Sequence, residues 1–150
     1  MRTIIQRVSS ASVIVNNITI SEINFGYLIL LGIENADTNE DASWLANKIS
    51  NLRLFNDSQG IMNNSINDKE GDIIVVSQFT LHAKTKKGNR PSYIHAAKPD
   101  IAIPLYEYFI KELQNSIKGK VLSGIFGEHM HVKIINDGPV TIFIDTKNKE

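Results

Sequence analysis

The run Tyr27-Leu28-Ile29-Leu30-Leu31-Gly32 constrains the fold more than any other segment, because it is apolar at both odd and even positions. Successive strand residues point to opposite faces, so a strand of this kind is buried on both sides of its sheet. Asp72 to Val76 repeats the pattern. The stretch from Tyr27 to Ile33 is far too short to cross a bilayer, so both runs are core strands of a protein that needs no membrane.

Other strands surround them. Thr3 to Val8 and Ala11 to Val15 are rich in β-branched residues, Asn16-Asn17 marks a turn before Ile18 to Ile23, and Phe25-Gly26 breaks that run. A helix follows, with Thr38 or Asn39 as cap, Glu40 and Asp41 in its first turn, and Trp44, Leu45, Ile49 and Leu52 as its apolar stripe. Residues 56–71, rich in Asn, Asp and Gly, read as a loop or short hairpin. A second helix is expected from about Asp100 or Pro104 to Ile117, with Leu105, Phe109, Leu113 and Ile117 spaced by four and Gly119 past its end. Val121 to Ile125 is a short strand, and His131 to Ile135 and Val140 to Asp145 read as two strands around a tight turn at Asn136-Asp137-Gly138-Pro139. Strands dominate and two main helices are inserted among them. The expectation is one α+β domain over residues 1–150, built on a curved, largely antiparallel, barrel-like sheet.

Composition narrows the function. The chain has no cysteine, which excludes disulfide frameworks, thiol nucleophiles and cysteine-ligated zinc. Sixteen Lys+Arg balance sixteen Asp+Glu, an argument against a protein that coats nucleic acid through bulk charge. A local contact stays open at Lys84, Lys86, Lys87 and Arg90, whose alternative reading is a solvated loop. With no targeting pattern at the start, the expected location is the cytoplasm.

Chemistry concentrates in two places. Ile73 to Val76 runs directly into Ser77-Gln78-Phe79-Thr80-Leu81, and an apolar strand that ends in polar groups sets reactive side chains at the rim of a core. Strand alternation would put Ser77 and Phe79 on one face, Gln78 and Thr80 on the other; the plainer alternative is that they finish the strand by bonding to backbone. The second place is Gly138-Pro139, read either as a stiffened hairpin turn or as a cis bond that turns two carbonyls to one side. His129 and His131 would share a strand face, but no third ligand accompanies them and no metal is expected. His82 and His95 flank the basic stretch as surface residues. No G-x-S-x-G elbow and no relay beside Ser77 or Thr80 is visible.

These residues converge on a family. Ser77 to Leu81 resembles the SQFTL signature of D-aminoacyl-tRNA deacylases (the D-tyrosyl-tRNA(Tyr) deacylase family), and Asn136 to Thr141 resembles their N-x-G-P-x-T signature. Met1 to Val8, Lys87 to Ser92 and Gly124 to Gly127 are similar to further family stretches in the same order. The resemblance implies a homodimeric, cofactor-free hydrolase that cleaves the ester between a D-amino acid and the 3′-terminal adenosine of tRNA. It implies catalytic roles around Ser77, Gln78, Phe79 and Thr80, with the amides of Phe79 and Thr80 facing the oxyanion, or Thr80 as nucleophile or proton carrier. By the same resemblance Gly138 and Pro139 reach into the partner's site and exclude L side chains, Arg7 holds that loop, and Met130 lines the pocket. Glycyl esters should then also be cut. The competing expectation is a catalytically inactive dimeric module that binds the tRNA end.

Overall fold

The structure, a computed structural model, describes residues 1–150. Its spine is β1 (Arg2–Val15), a single strand of 14 residues where two were expected. Ser9 and Ser10 do not interrupt it; the register along its partner instead shifts twice, between Gln6 and Val8 and between Val8 and Ser10. Asn16 and Asn17 both adopt positive φ (50° and 64°), the backbone a tight hairpin requires, and β2 (Ile18–Ile23) returns along the far half of β1. β3 (Gly26–Gly32) pairs with the near half of the same edge. The opposite edge of β1 is taken by β8 (His131–Asp145).

The continuity of β8 corrects the hairpin expected at residues 136–139. Both flanks pair with β1 in one direction, Asn136 opposite Val8 and Thr141 opposite Gln6. The four residues between them stand against Arg7 alone, so the segment is an outward bulge in one strand and not a reversal.

β3 pairs in parallel with β6 (Asp72–Ser77), and β6 in parallel with β7 (Val121–Ser123). Parallel neighbours need a crossover, and the two long helices lie in those connections: α1 (Asn39–Asn51) between β3 and β6, α3 (Pro99–Ser116) between β6 and β7. The start of α3 is Pro99, at a first-turn position that needs no amide, while Pro104 is inside the helix. Residues 55–64 form a small hairpin, β4 (Phe55–Asn56) with β5 (Met62–Asn64). A one-turn helix unforeseen in the sequence, α2 (Ile66–Lys69), starts at a capping box between Ser65 and Asp68. Ser21 donates to the Ser123 carbonyl, drawing β2 toward β7, and the sheet is nearly closed.

The two apolar runs are covered on both faces. Tyr27, Ile29, Leu31, Ile73 and Val75 belong to the larger core under α1 and α3, with Leu45, Ile49, Phe109 and Leu113. Leu28, Ile74 and Val76 face the other way, into a smaller core with Val8, Ala11, Val13 and Ile23. Gly26 lets β3 and β6 begin together. It has φ +145°, and a Cβ there would lie 1.8 Å from the Asp72 carbonyl oxygen.

That contact separates two glycine penalties. Gly26→Ala should lower stability in urea by about 3 kcal/mol or more, since backbone must move as well as adopt a disfavoured φ. Gly60→Ala has φ +80° but open space around it, and should cost only about 1 kcal/mol. Equal losses for the two variants would show that the β3–β6 approach is not sterically limited at Gly26.

Candidate active site

The parallel ladder decides where the first signature segment goes. β6 stays paired through Ser77 opposite Leu31, and Gln78 N–H still donates to the Leu31 carbonyl (2.8 Å). At Gln78 the backbone turns (φ −143°, ψ 77°) into a 3-10 helix at Phe79–His82, closed by bonds from Leu81 N–H to Gln78 O (3.2 Å) and from Ala83 N–H to Thr80 O (3.0 Å). The strand alternation expected through Thr80 therefore stops at Ser77. Gly32 makes room for this turn: a Cβ there would sit 2.9 Å from Gln78 O and 3.0 Å from Leu81 Cβ. His82, expected on the surface, is buried beneath the turn, and its Nε2 has no hydrogen-bond partner.

A cavity of about 260 Å³ opens where β3 and β6 end. Leu31, Ile33 and Val76 line it from the sheet, with Ser77, Gln78 and Phe79 at the turn. Ala97 and Ala102 close the side toward α3, and residues Phe126 to Met130 with Val132 form the remaining wall. Tyr106 on α3 fixes that wall to the sheet: its hydroxyl donates to Val75 O (2.8 Å), and its ring meets Phe126 edge-on at 5.7 Å. Burial raises the Tyr106 pKa, keeping the hydroxyl protonated as a donor. Gly124 N–H donates to the same Val75 carbonyl (3.0 Å). A Cβ on Gly124 would meet Met130 Sδ at 2.4 Å, so the missing side chain is what admits Met130 to the pocket edge.

Ser77, Gln78, Phe79 and Met130 are thus brought together, and Thr80 stands one step beyond the lining. The Gln78 side-chain amide donates to Thr80 Oγ1. Neither Ser77 nor Thr80 is hydrogen-bonded to an imidazole or carboxylate. The amides of Phe79 and Thr80 open the 3-10 turn, ahead of the first amide that a helix carbonyl receives, and are free to serve an anionic oxygen. Glu128 and His129 also line the cavity, a placement that spacing alone did not reveal because they precede β8 in a turn. The rings of His129 and His131 lie edge to face at 5.0 Å, and no group of three or more His, Cys, Asp or Glu that could hold a metal forms in the chain.

Arg7, Gly138 and Pro139 form a second, separate group. Arg7 is buried, donates to Leu54 O (2.7 Å) and Asp137 O (3.2 Å), and pairs with the Asp137 carboxylate at 3.0 Å. Its guanidinium therefore grips the base of the bulge on which Gly138 and Pro139 stand exposed, joined by a cis peptide bond. Gly138 has φ +128°, and a Cβ there would come within 2.8 Å of Val140 Cγ2 and 3.2 Å of the Arg7 guanidinium. None of the three residues lines the cavity. Arg7 stands four positions along β1 from Thr3, the partner of Leu31, which is about 13 Å at 3.3 Å per residue.

The family profile described as D-Tyr-tRNA(Tyr) deacylase matches residues 4–145. A D-aminoacyl-tRNA deacylase of Flavobacterium johnsoniae is 59% identical over 150 residues, covering 100% of both chains. One from Bacteroides fragilis is likewise 59% identical over 150 residues, with 100% of each chain covered. Among solved structures, the c-Myc DNA unwinding element binding protein superposes with a TM-score of 0.91 at 39% identity, covering 97% of this chain and 98% of that one. With a profile that spans almost the whole length and the first signature folded at the cavity, the chain belongs to the D-Tyr-tRNA(Tyr) deacylase family.

Proposed function

We propose that the protein is a hydrolase that cuts the ester of D-aminoacyl-tRNA, releasing free D-amino acid and tRNA. The observation that carries this reading is the cavity lined by residues 77–79 in a chain 59% identical, end to end, to proteins named D-aminoacyl-tRNA deacylase. The ester is already activated, so orienting it beside water and donors supplies much of what the reaction needs. Water adds to the carbonyl carbon, the amides of Phe79 and Thr80 hold the developing oxyanion, and the ribose oxygen departs with a proton from solvent or its neighbouring hydroxyl. Thr80 has no base beside it, and its oxygen already accepts a bond from Gln78, which weighs against a nucleophilic role.

The proposed assembly is a homodimer in which Gly138 and Pro139 of one protomer cover the partner's cavity. Two features support it. Within one chain the bulge lies outside the cavity, and β8, whose outer edge pairs with no other strand, exposes Ile135 (62%) and Phe143 (59%). A long edge strand with exposed apolar side chains is stable in water when another chain covers it. Carbonyls of Gly138 and Pro139, held by Arg7, would accept from the substrate ammonium and leave no space for an L side chain. Exclusion of this kind accepts many D-amino acids and also glycine. Met130 would bound the aminoacyl end of the pocket. The site uses side chains and backbone only, and its proposed setting is the cytoplasm, where charged tRNA is available.

Three measurements test these assignments. Thr80→Ala should keep turnover of D-tyrosyl-tRNA within about tenfold of wild type; near-complete loss in a folded dimer would assign Thr80 the nucleophilic role. Arg7→Lys keeps the charge but cannot reach both Leu54 and Asp137, and should cut the ratio of D- to L-tyrosyl-tRNA hydrolysis by about tenfold or more. An unchanged ratio would detach Arg7 from selectivity. Finally, Gly32→Ala disturbs the turn and Gly138→Val the bulge, so each homodimer should be nearly inactive. Refolded as an equal mixture, half the dimers are mixed and carry one intact site, restoring about a quarter of wild-type activity. No recovery would mean that cavity and bulge act within one chain. Wild-type binding of uncharged tRNA without any turnover would identify an inactive RNA-end-binding module instead.

A further inference from the structure

Charge sums to zero over the chain but is not evenly spread. Between Ile73 and Pro99 there is no Asp or Glu, while Lys84, Lys86, Lys87, Arg90 and Lys98 all fall there. All five are exposed, and none makes an ion pair. Among the other cations, Arg2 pairs with Asp145, Arg7 with Asp137 and Lys147 with Asp41, but no other stretch between consecutive acidic residues holds more than two Lys or Arg. Five exposed cations with no acid among them are therefore a local property of this one segment in a protein of zero net charge.

The segment is held in place at both ends. Lys84 N–H donates to Ser92 O (2.8 Å) and Ser92 N–H to Lys84 O (3.0 Å), closing a loop that carries Lys86, Lys87 and Arg90, with Gly88 at φ +68°. Ala97 N–H donates to Ile33 O (2.9 Å), tying the far end to the cavity wall. Next to the loop Phe79 is 56% exposed, and Tyr93 meets it edge-on with ring centroids 5.0 Å apart. Phe79 lines the cavity, so the aromatic pair leads from the cavity to the cations. Half-exposed rings beside unpaired cations match the chemistry of single-stranded nucleic acid, whose bases stack and whose phosphates need positive partners.

We infer that the Lys84–Lys98 segment is an RNA-docking surface for the unpaired nucleotides just before the terminal adenosine. Tyr93 and the outer edge of Phe79 take a base, and Lys86, Lys87 and Arg90 take phosphates. This rests on the deacylase reading above and deepens it, since it assigns most of the affinity for the polynucleotide to a surface outside the cavity. With no net charge to attract RNA at long range, association depends on this patch and is sensitive to salt.

The experiment compares two substrates, D-tyrosyl-tRNA and the 3′-D-tyrosyl ester of adenosine, with wild type and the triple variant Lys86→Ala, Lys87→Ala, Arg90→Ala. On the tRNA the variant should lose about tenfold or more in kcat/KM at moderate salt, chiefly through KM. Its slope of log(kcat/KM) against log[salt] should be shallower by about 2, at about 0.7 per single-strand phosphate contact. On the adenosine ester the two proteins should agree within about twofold. Tyr93→Ala should weaken the tRNA reaction in the same selective way. Anisotropy with uncharged tRNA reads the surface independently of turnover and should show the same tenfold weakening. An unchanged tRNA arm with an unchanged salt slope overturns the docking surface, as does equal loss on both substrates or dissociation of a dimer in sedimentation. Failure of wild type to hydrolyse either substrate would sink the esterase reading alone, because the binding measurement still decides the surface.

Discussion

The cavity depends on the parallel pairing of β3 and β6, two strands buried on both faces. Because Tyr27, Ile29 and Leu31 pack under the helices while Leu28 packs into the inner core, β3 cannot slide by one residue without exchanging its two faces. That register fixes Leu31 beside Ser77 and ends both strands at the same level. Ligand sites in parallel sheets form beyond the carboxyl ends of the strands, and a crevice opens there although both crossover helices, α1 and α3, cover the same face. Here the crevice receives the Phe79–His82 turn on one side and residues 126–130 on the other. Two glycines at the ends of β3 permit it, Gly26 by admitting the Asp72 carbonyl and Gly32 by admitting the turn.

A second organisation is built on β8. This strand binds only β1, carries the Gly138-Pro139 bulge, and exposes apolar residues along its length. Arg7 connects the two organisations, since its backbone lies in β1 while its guanidinium reaches Leu54 and Asp137. Close by, Tyr27 stacks on Phe55 at 5.1 Å, and burial pushes its phenol pKa up while the Arg7 charge works against that rise. The bulge is thus backed by core, which is what a rigid selectivity element requires. Under the proposed assembly, the protomer holds half of each of two sites.

Much of this was legible in the residues. The double-faced apolar runs, the Asn16-Asn17 turn and both main helices follow from periodicity and turn chemistry, and the two signature segments pointed to the family. Three of the features that shape the site and its surroundings were not. The chain direction after Asn136 looked like a hairpin, because a four-residue bulge and a two-strand turn use the same Asn, Asp, Gly and Pro; only pairing with β1 distinguishes them. The 3-10 turn at Phe79 depends on the space above Gly32, 46 positions from Gln78 in sequence. The burial of His82 follows from that turn and leaves no trace in its neighbours.

What the sequence determined by itself is therefore local: which segments are strand or helix, which faces are apolar, where the backbone must turn, and which family the order of motifs resembles. These depend on side-chain type and on spacings of a few residues. Tertiary structure alone decided which residues meet. It set Glu128 and His129 at the cavity with Ser77 and Phe79, moved Arg7 and Gly138 away from it, and gathered the unpaired cations beside an exposed aromatic pair. The reason is physical. Contacts between distant segments are set by the register of paired strands and by the packing of two cores at once, and neither quantity is a property of any short window of sequence.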